Sequence, residues 1–159
     1  MRILAIDMGT RTQDILLFDS DQPVENSVKM VLPSATEIAA RRIRRAGAIG
    51  RALVLDGSVA GGGPCAWALE AFLAAGGRAF ATPEAAQTFD DDPERVREMG
   101  VTIVSADEAR VIDGERVTLR DLDMGAIRTA LLAFEVDTKF DGLALGCLDH
   151  GAAPPAVSD

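Results

Sequence analysis

The sequence predicts an α/β fold in which three antiparallel strands are followed by parallel β-α units. Three observations lead there. The chain opens with three short apolar runs, residues 3–6, 15–18 and 28–32, each closed by turn-forming residues. The connection between the first two is too short for a crossover helix, so they pair as an antiparallel hairpin. Beyond Ser34, helix-like and strand-like stretches alternate, the pattern of parallel strands joined by right-handed crossovers.

The elements follow in order. Asp7, Gly9 and Thr10 close the first run, Asp19, Ser20 and Asp21 the second, and Pro33 the third, so each reads as a strand. Ser34 then opens a helix, with Glu37 three residues on in the capping-box position. Ile38 and Ile43 supply its apolar face, and Arg41, Arg42, Arg44 and Arg45 crowd its C-terminal half, where positive charge suits the helix dipole. The same arginines also fit a plain solvated helix end. Gly47 is the expected stop. Residues 52–55 form a strand. Gly61, Gly62 and Gly63 lead into Pro64, which suits the first position of a helix running to Ala75 and ended by Gly76 and Gly77. Residues 79–81 form a strand, Pro83 begins a helical turn, and Asp90, Asp91, Asp92 and Pro93 mark a loop before a short helix over 94–99. A strand follows over 101–104, and residues 109–119 read as a hairpin turning at Asp113-Gly114. Asp123 caps a helix to about Phe134, and the last strand, 143–148, ends in Asp149, His150 and Gly151. This order is the ribonuclease H-like arrangement, expected as one domain over 1–159.

Composition bounds what such a domain does. The 159 residues are 48% hydrophobic and 26% charged, ordinary for a globular chain. A net charge of −9 argues against non-specific binding to nucleic acid or anionic membrane, both of which need a basic face. It leaves room for a small phosphate-containing ligand held by backbone N–H groups. No apolar run approaches the roughly 20 residues of a membrane span, and Asp7 interrupts the first run before it resembles a signal peptide. The cytoplasm is the expected location. Cys65 and Cys147 do not make a disulfide framework. With no three closely spaced cysteines, no iron–sulfur cluster is expected.

Three motifs carry candidate chemistry. The first runs from Asp7 to Asp14 and is closed by Leu17, Phe18 and Asp19. Gly9 lets a phosphate approach the backbone without a Cβ in the way. Thr10, Thr12 and Gln13 offer donors to its oxygens, and Asp7, at the end of the first strand, suits a hydrated Mg²⁺. The same residues also fit a plain turn. The second motif is the run Gly57 to Trp67, in which Gly61, Gly62 and Gly63 sit at a strand-to-helix junction, where N–H groups and the helix dipole favour an anion. A tight turn against a neighbouring strand explains it equally well. Cys65 reads as a buried small hydrophobe and Trp67 as core. In the third motif Asp149 and His150 follow a strand's C-terminal end, the edge where open α/β sheets bind ligands. Either can serve as a base, or both can be loop formers.

DMGTRTQDILLFD resembles the first phosphate motif of the actin, sugar-kinase and heat-shock-chaperone ATPase superfamily: Asp-x-Gly-Thr, six variable residues, then Leu-Phe-Asp, matched at Asp7, Gly9, Thr10, Leu17, Phe18 and Asp19. The resemblance implies ATP and Mg²⁺ as ligands. Sugar kinases often carry Lys or Arg just before the second strand, where this chain has Asp14. Across ILAIDMGTRTQDILLFD, GGGPCAWALEAFLAAGGRAFATPEAAQTFDDD, EMGVTIVSADEA and LDHGAAPPAVSD the chain further resembles a family labelled as a pyruvate formate-lyase activating enzyme. Its members are about twice as long, which implies that this chain is the first of two lobes. Its partner would be the missing C-terminal lobe or a second copy. The implied function is ATP-Mg binding by an actin-like ATPase or small-molecule kinase lobe. The alternative is a regulatory domain that keeps the fold without turnover, and the third reading is radical-enzyme activation, as the label says.

Overall fold

In β1 (Arg2–Met8), Leu4 and Ile6 point to one side of the strand while Ala5 and Asp7 point to the other, as the period of two requires. The computed structural model describes residues 1–147. These fall into two compact units, one built from 1–34 with 122–147 and the other from 35–121. In the first, β1, β2 (Thr12–Asp19), β3 (Val28–Pro33) and β8 (Gly142–Cys147) form a sheet in the order β3-β2-β1-β8. β2 is antiparallel to β1 and β3, and β8 runs parallel to β1. The pairings Leu4↔Leu17 and Ile6↔Ile15 put four apolar side chains on one face. There they meet Ile127 and Leu131 of α6 (Met124–Ala133), all at most 3% exposed. The four-residue spacing of Ile127 and Leu131 places both on one side of the helix. Each burial is worth roughly 1.5–3 kcal/mol. Asp123 caps α6 as expected, its Oδ1 accepting from the Ala126 N–H at 3.0 Å. Arg2 ties the α6–β8 connection to β1: its N–H donates to Asp141 Oδ2 at 2.7 Å, and its guanidinium reaches the Asp137 carbonyl at 2.8 Å and Oδ2 at 3.1 Å.

The second unit holds α1 (Ala35–Ala48), β4 (Leu53–Gly57), α2 (Gly63–Ala74), β5 (Ala79–Ala81), α3 (Pro83–Ala86), α4 (Pro93–Glu98), β6 (Val101–Ile103), α5 (Ala106–Val111) and β7 (Glu115–Leu119). Its sheet has the order β6-β5-β4-β7 with every pair parallel. Leu53, Val54 and Leu55 are all fully buried, which is why β4 reads as an unbroken apolar run. α1 packs on α2 through small residues, Ala39, Ala40 and Ala46, with Ile43 at 0% exposure; Ile38 stays 37% exposed.

Two sequence expectations change. α1 does not stop at Gly47 but runs on to Ala48, and the chain reverses at Gly50 with φ +68°. Gly47 is needed for packing instead, since a Cβ there would come within 3.3 Å of the Phe72 ring. Residues 109–119 are not a hairpin. Ser105 and Glu108 form a reciprocal capping box that starts α5, the Arg116 guanidinium donates to the Ala109 and Arg110 carbonyls near its end, and β7 then pairs parallel with β4. A local Asp-Gly turn signal at Asp113 lost to a stronger helix start eight residues before it, at Ser105.

Candidate functional site

The first motif forms the tip of the β1–β2 hairpin. The Gly9 N–H donates to the Thr12 carbonyl at 2.9 Å, and a Cβ on Gly9 would meet that same oxygen at 3.0 Å. Ser34, 3% exposed, holds the turn from the far side: its N–H donates to the Arg11 carbonyl at 3.0 Å and its hydroxyl to the Thr10 carbonyl at 2.7 Å. Three successive carbonyls are therefore taken up within the protein, which fixes the turn while Gly9, Thr10 and Thr12 remain exposed.

β2 begins at Thr12, so Asp14 is a strand residue and not a turn residue. The register places it directly opposite Asp7 on the same face. On the other side of Asp7 stands Gly146 of β8, where a Cβ would lie 3.1 Å from Asp7 Oδ1. Both carboxylates are exposed. They edge a shallow depression of about 560 Å³ on this face, shared with Lys29, Leu16, Val31 and Ala144. Opposed like charges on adjacent strands cost stability unless something offsets them. Gln13 falls on the other face, and its Nε2 donates to the Pro33 carbonyl at 2.8 Å, so it fastens β3 to the hairpin.

Gly61, Gly62 and Gly63 belong to the second unit and connect β4 to α2. The chain goes from β4 to β5 and β6 on one side, then returns to place β7 on the other, so the gap between β4 and β7 is a topological switch point, the usual ligand crevice of an open parallel sheet. Gly61 and Gly63 have φ of +73° and +45°. The Val59 N–H donates to Thr88 Oγ1 at 3.1 Å and the Ala60 N–H to Asp121 Oδ1 at 2.8 Å. Asp56, the penultimate residue of β4, has an Oδ1 buried without a hydrogen-bond partner among the described residues. The sequence reading missed Asp56 and Asp121. For Asp56 the available signal was an apolar run closed by Asp-Gly, comparable to the Asp-Met-Gly that closes the first run at Asp7.

Trp67 is 56% exposed on α2 and is not core; the helix turns Pro64, Cys65, Ala68, Leu69 and Phe72 inward instead. Asp149 and His150 lie outside the described residues. Asp92 caps α4, its Oδ1 accepting from the Glu94 N–H at 2.9 Å, which gives the acidic run a local role. Among the described residues no group of three His, Cys, Asp or Glu side chains is placed to hold a metal, and no helix is long and apolar enough to cross a membrane.

The two cysteines differ sharply. Cys147 is exposed, whereas Cys65 is fully buried and burial pushes its thiol up to about 12. That thiol stays neutral in the fold while the unfolded chain ionises near 9. The unfolded state therefore binds fewer protons between these values, and stability falls as pH rises from about 9 towards 12. At pH 8 a thiol reagent is expected to label Cys147 quickly and Cys65 only after denaturant is added. Cys65→Ala should flatten the alkaline slope of a melting series, and an unchanged slope would assign it to other groups.

The sequence model of one family, described as “Putative pyruvate format-lyase activating enzyme (DUF1786)”, matches residues 60–159. No curated protein and no solved structure matches the chain.

Proposed function

The chain belongs to that family, and from this premise we propose that it binds the phosphates of Mg-ATP at the β1–β2 turn, as a lobe of an actin-like ATPase or small-molecule kinase with a ribonuclease H-like sheet. One observation carries the reading: Asp7 stands at the end of β1 between Asp14 on the antiparallel neighbour and Gly146 on the parallel one, beside a turn whose carbonyls point into the protein. The strand order β3-β2-β1-β8 supports it, because it places a parallel strand next to the one that bears the acid.

The residues fit a hard divalent cation. Asp7 and Asp14 offer oxygen donors, which Mg²⁺ prefers together with water and phosphate, and the missing Cβ at Gly146 keeps the space beside Asp7 Oδ1 open. When bound, the cation offsets the charge of the phosphate oxygens. Gly9 lets the phosphates reach the backbone, Thr10 and Thr12 donate to them, and Ser34 keeps the turn from shifting as they bind. The substrate hydroxyl or water would meet its base from Asp149 or His150, and a second lobe or a second copy would close over the nucleotide.

A second reading keeps the binding and drops the turnover. It is favoured by Asp14, an acid at the place in the sequence motif where sugar kinases often carry Lys or Arg. The activity in the family's description would need an iron–sulfur cluster, and the cysteines do not fit one: three thiolates must lie together, whereas this chain has two, one of them fully buried with a raised thiol.

Calorimetric titration with Mg-ATP tests the proposal. Saturable binding that needs Mg²⁺ and weakens at least tenfold in Asp7→Ala, about 1.4 kcal/mol, is the expected result. Equal heats from Asp7→Ala and the unaltered chain would end the proposal. Binding without phosphate release would favour the regulatory reading.

A further inference from the structure

Within the 35–121 unit, the last turns of α1 and α2 and the loops that leave them enclose a cavity of about 400 Å³, within the size range of small-molecule sites. Its floor is apolar, formed by Ile43, Ala68 and Phe72, and its rim carries three arginines, Arg44, Arg51 and Arg78. No Asp or Glu lines it, although acidic residues outnumber basic ones 25 to 16 along the chain.

The backbone is shaped around this space. Phe72 lies so close beneath Gly77 that a Cβ there would fall 2.4 Å from the ring, and Gly47 crowds the same ring from α1. Gly50 and Gly76 turn the two loops with φ of +68° and +83°, and nothing lies within 4 Å of where their Cβ atoms would be. The result is a clean apolar base under an open mouth.

The arginines are not committed to the helix ends. The terminal carbonyls of α1 and α2 are taken by backbone N–H groups: Ile49 to Arg45 and Arg51 to Ala46 on α1, Ala75 to Ala71 and Gly77 to Phe72 on α2. Arg44 shares Glu37 with Arg41 at 3.7 Å, Arg51 pairs with Asp113, which is 94% exposed, and Arg78 has no ion-pair partner among the described residues. Exposed pairs of this kind are worth little, so guanidinium capacity is left over. Planar guanidinium groups suit carboxylate and phosphate oxygens better than ammonium groups do.

We propose that this cavity binds a small organic anion with an apolar body, an alkyl carboxylate or alkyl phosphate, its head on Arg44, Arg51 and Arg78 and its tail on Phe72, Ala68 and Ile43. None of its lining residues belongs to the β1–β2 turn.

An amide-resolved NMR titration of the whole chain tests this, with octyl phosphate, octanoate, octanol and inorganic phosphate as probes. One or both amphiphilic anions should bind saturably and shift Gly47, Gly50, Gly76 and Gly77, while octanol and inorganic phosphate bind at least tenfold more weakly. Tighter binding of octanoate identifies a carboxylate ligand, and tighter binding of octyl phosphate identifies a phosphate ester. The double variant Arg44→Gln with Arg78→Gln should weaken the anions at least tenfold and leave octanol unchanged, and Arg78→Lys should retain part of the affinity. If the arginines serve only to balance the helix dipoles, the double variant will lower the melting temperature without changing binding, and the proposal falls. It falls equally if octanol binds as tightly as the anions, or if none of the four glycines shifts.

Discussion

Gly57→Ala is expected to destabilise the protein by about 3 kcal/mol or more. Gly57 ends β4 with φ +69°, a conformation that L side chains rarely adopt. An added Cβ would also sit 2.3 Å from the Leu119 carbonyl oxygen. That oxygen belongs to the neighbouring strand β7, and Gly57 and Leu119 are register partners, so relief requires moving the backbone of β4 away from Leu119, itself only 3% exposed. Gly76→Ala supplies the control: its φ is +83°, but nothing lies within 4 Å of the new methyl. It should cost only the left-handed penalty, about 1 kcal/mol. Urea denaturation measures both. If the two variants lose the same stability, backbone conformation alone sets the cost and the β4–β7 junction is looser than its geometry suggests.

The contrast between these glycines also shows what the sequence can reveal. Apolar runs with sharp ends are local signals, so β1, β3, β4 and β5 are legible within a residue or two, as are the Asp123 cap and the Gly76 stop, whereas β2 starts three residues before its apolar run. What decides β7 is not local. Glu115 to Leu119 looks like the return arm of a hairpin until α5 is known to start at Ser105 and the strand is seen to pair with β4, about sixty residues earlier. Gly47 likewise reads as a helix stop, because its need to clear Phe72 depends on a contact between two helices. The candidate site divides the same way. Gly9, Thr10 and Asp7 are visible from spacing alone. The role of Asp14 is not, because only the strand register shows which residue it faces. Asp56 does not stand out in the sequence because a single Asp at a strand end is common, and the lack of a hydrogen-bond partner for its Oδ1 among the described residues is a property of the surroundings.

Asp14→Asn should raise stability and weaken binding at once. In metal-free buffer it removes one of two carboxylates held opposite each other across β1 and β2, and relief of such a like-charge pair is worth roughly 0.2–1 kcal/mol. Both side chains are exposed, so the gain should shrink as salt screens the pair. The same change removes an oxygen donor from the proposed cation site, and Mg²⁺-dependent affinity for ATP should fall at least tenfold, about 1.4 kcal/mol. If both effects are found, the pair trades stability for binding, a trade common at functional sites. Asp14→Lys separates the two meanings of the position. If Asp14 is a cation ligand, lysine there will pair with Asp7, stabilise the free protein further and abolish Mg²⁺-dependent binding. If the position serves the phosphates directly, lysine will instead raise the affinity for ATP in the absence of Mg²⁺. Melting curves in chelator, with and without added salt, and calorimetry with and without Mg²⁺ read out all of these effects. A melting temperature that does not rise in Asp14→Asn, together with unaltered Mg-ATP binding, would show that the two acids neither repel each other nor share a cation.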